Sequence, residues 1–171
     1  MAQVEDLLDK VRTAYPDGVP NMFRTLTGNR AVLAGFMALD DNLEADGVLS
    51  PVERLLVGLI TAQHVNCGYC QAALSKEAQE AGAESDIVSA ILSNTLPEHR
   101  RARALIQVSQ RILETHGRLP HAERAHFKRL GLDDEALLEV IAVIGAFTIA
   151  THASNLVRTR IDPEYRTGAQ G

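Results

Sequence analysis

Residues 50–70 read SPVERLLVGLITAQHVNCGYC, and this stretch decides most of the fold. It opens with a capping box, in which Ser50 is the N-cap, Pro51 takes the first helical position and Glu53 follows three residues after the cap. Apolar residues then recur at helical spacing. The pattern therefore predicts a helix that runs from the capping box to about Val65.

The second half of the same stretch indicates a break in the helix. Asn66 and Gly68 are weak helix formers, and they lie on either side of Cys67. We expect the first helix to end there and a second helix to start near Tyr69 or Cys70. The two cysteines then lie at the junction of two helices.

The rest of the chain has helical periodicity as well, and no strand pattern, linker or repeat stands out. The sequence predicts one all-α domain over residues 1–171, with a polar tail over 162–171. The helices expected outside the opening stretch lie at about 7–15, 20–43 with a possible interruption at 27–29, 85–92 capped by Ser85, 97–116, 120–130 and 133–158, and Gly82 ends the helix that contains Cys70.

Length and charge restrict the function classes. A chain of 171 residues suits one domain, or one layer of helices that completes its core by pairing with copies of itself. The net charge of −5 comes without any Lys/Arg run, so we expect no nucleic-acid partner. The acidic N-terminus lacks the features of a signal peptide, which favours the cytoplasm.

The most apolar stretch, residues 137–153, falls just short of a membrane span. It contains Glu139 and His152, so it is more typical of a buried helix. We therefore expect no membrane partner.

Cys67 and Cys70 are the only cysteines, and they form a C-x-x-C pair with His64 three residues upstream. A thiol reacts as its thiolate, so a redox cysteine needs a pKa below its free value of about 8.5. A helix that starts near Cys70 points backbone N–H groups and the positive end of its dipole at both sulfurs. His64, one turn before Cys67, could pass protons. Thiol–disulfide chemistry is therefore the first hypothesis.

Two other interpretations of the pair stay open. Cysteines at helical spacing can be small buried hydrophobic residues. The pattern His64-x-x-Cys67-x-x-Cys70 also supplies three zinc ligands, and His152 is a candidate fourth. Structural zinc sites usually have a second paired knuckle, which this chain lacks. We therefore expect no metal.

Residues 53–57 (ERLLV) and 66–73 (NCGYCQAA) resemble the carboxymuconolactone decarboxylase superfamily, specifically its AhpD-like alkylhydroperoxidase branch. Members typically read E-R-x-V-V, then N-x-C-x-Y-C-x-x-A-H, then a helix that ends in A-G, as residues 81–82 do here. Residues 155–156 and 161–163 (IDP) are similar to the end of the family's last long helix and the Leu-Asp-Pro after it. The resemblance covers residues 21–165.

The resemblance implies an AhpD-like helical fold that assembles into dimers, trimers or hexamers. It implies a site that reduces hydroperoxides or exchanges disulfides, with electrons from an external thiol donor and without an organic cofactor. Peroxide would oxidise Cys70, and Cys67 would resolve the sulfenic acid as a disulfide. The rival functions are a non-catalytic redox or zinc-binding module and a cofactor-free lactone decarboxylase, a branch that generally lacks the cysteine pair.

One departure from the family pattern bears on catalysis. The family histidine four residues after the second cysteine is Leu74 here, and His64 is the nearest imidazole that could replace it. Tyr69 and His152 are candidate pocket residues, although packing explains an aromatic residue and a lone histidine equally well.

Glu53 is the remaining candidate of the site. It already caps a helix, and the fourteen residues to Cys67 span roughly 21 Å of straight helix. We therefore expect it to act at the cysteines only if the chain folds back or another subunit contributes it.

Overall fold

A computed structural model describes residues 2–166, and this part of the chain is all-α, as the sequence predicts. It contains no strand. Its helices are α1 (Ala2–Ala14), α2 (Asn21–Leu26), α3 (Arg30–Asp46), α4 (Pro51–His64), α5 (Gly68–Glu80), α6 (Ser85–Leu92), α7 (Arg100–Thr115), α8 (His121–Arg129) and α9 (Asp134–Val157), followed by a 3-10 turn at Pro163–Tyr165.

The capping box at the start of α4 is confirmed. The Ser50 hydroxyl accepts a hydrogen bond from the Glu53 backbone N–H, and the Glu53 carboxylate accepts one from the Ser50 N–H. The middle of α4 is almost wholly buried, and the helix packs against α5, α7 and α9. The capping box therefore fixes the start of the central helix of the fold.

Two hydrophobic clusters make up the core. The larger one joins α4, α5, α6, α7 and α9 and includes both cysteines. The smaller one joins α1, α2 and α3 to the second half of α9. Phe147 of α9 packs against both, so the region around this ring is where the two clusters meet.

Several helix ends differ from the sequence expectation because other residues provide the cap. Helix α6 begins at Ser85 itself, and its N-cap is Glu84, which makes no side-chain capping bond. Helix α7 begins three residues later than expected because the His99 ring accepts a hydrogen bond from the Ala102 N–H. The expected interruption at 27–29 is present, and the Asn29 side chain caps α3.

The predicted polar tail is wrong for residues 162–166. Asp162 and Tyr165 are both buried, 6% exposed each, because this segment folds back against α2 and α5. The remainder of the predicted tail, 167–171, lies outside the described residues.

Helix α9 is longer than the apolar stretch in the sequence suggests. By length and composition it is the one described helix that could cross a membrane, and 44% of its most apolar window is buried inside the protein. Core helices of soluble proteins meet the same criterion. Its buried Glu139 accepts hydrogen bonds from the backbone N–H groups of Val48 and Leu49, so this carboxylate holds the loop that precedes α4.

Candidate active site at the cysteine pair

A tight helix-terminating turn positions Cys67. Asn66 adopts the left-handed conformation, with φ of 51°, and its N–H donates to the Gln63 carbonyl. The Cys67 N–H donates to the Ala62 carbonyl at 2.9 Å, which completes a Schellman motif at the end of α4. Cys67 then serves as the N-cap of α5, so one residue ends one helix and starts the next.

The two thiols are buried and reduced, and they differ in acidity. A hydrogen bond from Cys70, helped by hydrogen bonds from the backbone N–H groups of Cys70 and Tyr69, lowers the pKa of Cys67 to about 7 against the opposing effect of burial. The same hydrogen bond to Cys67, together with burial, raises the pKa of Cys70. Cys67 is therefore the thiol of the pair that loses its proton first, and Cys70 keeps its proton.

Cys70 lines a cavity of about 110 Å³, and Cys67 does not. We call this space the thiol cavity. Six of its fifteen lining residues are aromatic, and the rings of Tyr15, Phe23, Phe36 and Phe147 contact one another in that order with centroids 5.7 to 6.4 Å apart. The other lining residues are Pro20, Met22, Asp40, Leu55, Tyr69, Ala73, Leu74, Glu77, Ala150 and Tyr165. A molecule in the cavity therefore meets Cys70 first.

A carboxyl group lines the same cavity as Cys70. Glu77 of α5 is partly buried, and its Oε1 accepts a 2.8 Å hydrogen bond from the Tyr165 hydroxyl. Burial raises the pKa of Glu77, the carboxylates of Glu80 and Asp40 raise it further, and the Tyr165 hydrogen bond opposes both effects. The cavity thus contains a thiol and a carboxyl group that is held toward its protonated form.

Ser154 of α9 adds a hydroxyl group beside Cys70. The side chain is buried, 2% exposed, and its Oγ makes no hydrogen bond within the described chain. It nevertheless lies close enough to the Cys70 sulfur to act toward a lower pKa of that thiol, against the larger effects that raise it. Ser154 is therefore placed to stabilise negative charge on Cys70.

Tyr69, a predicted pocket residue, does line the thiol cavity. Its hydroxyl donates to the Asp162 carboxylate at 2.7 Å and accepts from the Met22 N–H at 3.2 Å. Burial and the bond to Asp162 raise its pKa. Tyr69 thus ties the segment between the cysteines to the C-terminal segment.

The structure does not bring the two predicted histidines into the thiol cavity. His64 is exposed and lines a separate polar groove that also contains Asn94, Arg111 and Glu123. His152 is also exposed, and its ring Nδ1 hydrogen bonds to the Thr148 carbonyl at 2.9 Å. Within residues 2–166, no group of three or more His, Cys, Asp or Glu side chains is arranged to hold a metal ion.

Glu53 also lies apart from the thiols. It forms an ion pair with Arg101 of α7, with Oε1 and Nε 2.6 Å apart, in addition to its capping bond. The Arg101 and Ser50 hydrogen bonds lower the pKa of Glu53 more than burial raises it. Its contacts within the described chain are those of a structural residue that joins α4 to α7.

Sequence reasoning missed three residues that surround Cys70. Glu77 lies on the same face of α5, seven residues after Cys70, so helical spacing was a signal that could have found it. Ser154 and Tyr165 carry no local signal. They come from segments more than eighty residues away, and only the packing of the last helix and the C-terminal turn brings them to the site.

Comparison with solved structures gives a consistent fold. A peroxidase-related protein with an alkylhydroperoxidase AhpD core, from Ralstonia eutropha JMP134, has a TM-score of 0.83 at 21% identity, with 94% of this chain and 87% of that chain covered. A peroxidase-related protein from Silicibacter sp. TM1040 has a TM-score of 0.78 at 18% identity, with coverage of 91% and 83%.

A third similar structure is the debrominase Bmp8, with a TM-score of 0.76 at 17% identity. The match covers 96% of this chain and 88% of that chain. A cysteine-to-alanine variant of that debrominase has been crystallised with 2,3,4-tribromopyrrole. No curated protein sequence matches the chain.

The sequence itself matches a family model over residues 30–109, from the start of α3 into α7. That region includes the capping box, the helix junction and both cysteines. The resemblance drawn from the motifs is confirmed to this extent: just under half of the chain matches the model of the carboxymuconolactone decarboxylase family, and the helical fold is that of the proteins with an AhpD core.

Proposed function

We propose that the protein is an AhpD-like thiol peroxidase that reduces hydroperoxides through a dithiol–disulfide cycle of Cys67 and Cys70. The observation that carries the proposal is the arrangement of the pair. Cys70 faces the thiol cavity, and its partner Cys67 has a pKa of about 7 and lies within hydrogen-bond reach. The pair therefore has a thiolate, the reactive form of cysteine, available near neutral pH. The family-model match and the peroxidase-related neighbours support the same reaction class.

The cycle balances with an external thiol donor. The proton on Cys70 moves to Cys67, and the Cys70 thiolate attacks one peroxide oxygen. A sulfur–oxygen bond forms, the oxygen–oxygen bond breaks, and the leaving alkoxide takes a proton to become an alcohol. Cys67 then attacks the Cys70 sulfenic acid, so that a disulfide forms and water leaves. Two electrons from a donor dithiol reduce the disulfide and return the site to its starting state.

A peroxide-consumption assay with a dithiol reductant tests the proposal. We expect the Cys67→Ser and Cys70→Ser variants to lose turnover, with melting temperatures close to that of the wild type. Cys67→Ser should still form one sulfenic acid per chain that dimedone traps, whereas Cys70→Ser should form none. Equal rates in the wild type and both variants would contradict the proposal.

A stoichiometric zinc ion in protein purified without added metal would favour the non-catalytic zinc module instead, because bound zinc consumes the thiolate that the cycle needs. The cofactor-free lactone decarboxylase remains the other rival, and lactone turnover that survives loss of both cysteines would support it.

A second candidate reaction is the reductive removal of a halide from an aromatic ring. The aromatic walls of the thiol cavity favour it, and the similar fold of a debrominase provides a precedent. The dithiol would be oxidised to a disulfide while a carbon–halogen bond is replaced by a carbon–hydrogen bond. Bromide release from 2,3,4-tribromopyrrole, measured beside peroxide consumption with the same reductant, ranks the two reactions.

We also propose that the protein works as a homo-oligomer in the cytoplasm, where reducing thiols are available. The outer face of α9 exposes a row of large apolar side chains, Leu138, Ile141, Ile149 and Leu156, of which Leu156 is 85% exposed. Gly145 and His152 lie between these side chains on the same face, and soluble monomers rarely expose large apolar patches. A second copy of the chain is the proposed partner of this face.

Light scattering after gel filtration tests the oligomer. We expect the Leu138→Glu/Leu156→Glu double variant to have a lower mass than the wild type, whereas Val48→Glu, an exposed position outside α9, keeps the wild-type mass. A wild-type protein that is monomeric at all concentrations would contradict this proposal.

A further inference from the structure

Two acidic residues line the thiol cavity, Asp40 and Glu77; Asp40 is exposed, whereas Glu77 is half-buried and has neither a capping bond nor an ion pair in the described chain. Glu77 lies on the face of α5 that also presents Cys70, Ala73 and Leu74 to the cavity. The only hydrogen bond to its carboxyl group within 3.5 Å in the described chain is the one from Tyr165, so part of its hydrogen-bonding capacity stays free. A half-buried carboxyl group beside a reactive thiol is an uncommon arrangement, and such groups concentrate at functional sites.

We propose that Glu77 is the catalytic acid of the site and that it donates a proton to the leaving oxygen when Cys70 attacks a hydroperoxide. This inference rests on the proposed peroxidase function. Leu74 stands at the position of the family histidine and cannot donate a proton. Glu77 lies one helical turn after Leu74 on the same face of α5, and it carries a group that can.

The helical geometry gives Glu77 a suitable reach. Seven residues of α-helix separate the two Cα atoms by about 10 Å along the axis. Both groups line the thiol cavity, whose volume is about 110 Å³. A hydroperoxide that reacts there needs its attacked oxygen about 3 Å from the sulfur and its leaving oxygen about 2.8 Å from the acid. The proposal places a small hydroperoxide between the two groups in this cavity.

The surroundings of Glu77 raise its pKa, so it stays protonated to a higher pH than an ordinary carboxyl group does. Tyr15 approaches it from the end of α1, Asp40 from α3, Glu80 from α5 and Tyr165 from the 3-10 turn. Burial and the two carboxylates raise the pKa of Glu77, and the two phenols oppose this. A protonated carboxyl group is the form that a general acid needs.

The proton balance of the first step is then complete. The Cys70 sulfur bonds to one peroxide oxygen, the oxygen–oxygen bond breaks, and the alkoxide takes its proton from Glu77. Glu77 is left as a carboxylate, which regains a proton from solvent. An alkoxide is a poor leaving group and needs that proton, whereas the carboxylate that leaves from a peracid does not.

The difference between an alkoxide and a carboxylate leaving group allows a test of this role. We expect Glu77→Gln to lower the rate with tert-butyl hydroperoxide by roughly a hundredfold or more, the usual contribution of a general acid. The rate with a peracid should stay close to that of the wild type. The alkaline decline of the wild-type rate with tert-butyl hydroperoxide should also disappear in Glu77→Gln. Glu84→Gln, an exposed carboxylate at the start of α6, is the matched control and should change neither rate.

The outcomes separate this inference from the proposed function. A wild-type protein that reduces neither oxidant contradicts the peroxidase itself. An active wild type whose Glu77→Gln variant loses both rates equally, or loses neither, overturns the role of Glu77. If Glu77→Gln melts early, Glu77→Asp keeps an acid that is shorter by one methylene, and it should retain part of the rate with tert-butyl hydroperoxide.

Discussion

The Tyr69 hydroxyl donates a 2.7 Å hydrogen bond to Oδ2 of Asp162, across 93 residues of sequence. The same carboxylate oxygen accepts from the Asn21 N–H at 3.0 Å, and the Tyr69 oxygen accepts from the Met22 N–H. These three bonds join the segment between the cysteines to α2 and to the C-terminal turn. Tyr69 and Asp162 are both buried, so the loss of the bond between them is not replaced by bonds to solvent.

We expect Tyr69→Phe to lower the free energy of unfolding by about 1–3 kcal/mol, because it leaves the Met22 N–H without a partner and removes one of the two hydrogen bonds that the buried Asp162 carboxylate accepts. Denaturant unfolding of Tyr69→Phe, Asp162→Asn and the double variant gives the coupling energy. We expect about 0.5–3 kcal/mol. Tyr165→Phe, which removes a phenol from a partly exposed partner, should cost less. Additive effects of the two substitutions would contradict the coupling.

A second prediction concerns the acidity of Cys67. Ultraviolet absorbance of the thiolate should titrate with a midpoint of about 7 in the wild type. Cys70→Ala removes the hydrogen bond that contributes most to this low pKa, so the midpoint should rise toward the ordinary value of 9.0. Cys70→Ser keeps a hydroxyl donor and should shift the midpoint less. Identical midpoints in the two variants would show that the backbone N–H groups alone set the pKa.

The parts of the fold that the sequence predicts well are those with local causes. The capping box of α4 and the helix break at Asn66 depend on residues within one turn of each other, and both are present. His64 lies outside the thiol cavity for a local reason. Helix α4 ends at His64, so the helical spacing that would bring it to Cys67 does not continue, and its side chain stays in solvent.

The residues that complete the site depend on packing that no local pattern encodes. Asp162 was assigned to a polar tail because its neighbours are polar, yet the Tyr69 hydroxyl and the Asn21 N–H give it two buried partners. Ser154 reaches Cys70 only because α9 packs against α5. Such contacts follow from the arrangement of whole helices, which the motifs around the cysteines do not determine.

The third prediction concerns Ser154. In a Cys67→Ser background, where Cys70 is the remaining thiol, Ser154→Ala should raise the midpoint of the thiolate titration, because the hydroxyl that stabilises the charged sulfur is lost. The free energy of unfolding should change little, since Ser154 Oγ has no other hydrogen-bond partner. Ser109→Ala in the same background is the control, because Ser109 is a buried serine of α7 without a partner in the described chain. An equal shift in both would contradict a specific role of Ser154.

The fourth prediction tests the packing behind the thiol cavity. A Cβ atom at Gly58 of α4 would lie 2.7 Å from the Phe147 ring, so Gly58→Ala must displace that ring. We expect a loss of about 1–3 kcal/mol in the free energy of unfolding. Gly35 of α3 has open space around it, and Gly35→Ala should stabilise the protein by about 0.5–1 kcal/mol. Two substitutions of the same chemistry should therefore have opposite signs in denaturant unfolding.

The fifth prediction is a pH dependence of stability that originates at Glu77. The folded state raises the pKa of this carboxyl group above its ordinary value of 4.5, chiefly by burial. A group with a raised pKa contributes stability that is complete below the unfolded pKa and is lost as the pH rises through the folded pKa. The wild type should therefore lose melting temperature relative to Glu77→Gln as the pH rises above about 4.5.

The comparison needs the exposed Glu84→Gln variant, whose melting temperature should stay parallel to that of the wild type at every pH. The pKa of Asp40 is raised as well, by burial and by Glu44, so Asp40→Asn should show the same direction as Glu77→Gln. The Asp40 carboxylate contributes to the raised pKa of Glu77, so the Glu77→Gln/Asp40→Asn double variant should gain less melting temperature than the sum of the single variants. A wild type that gains melting temperature relative to Glu77→Gln as the pH rises would mean that the folded state stabilises Glu77 as a carboxylate. That result would contradict the role of Glu77 as the catalytic acid.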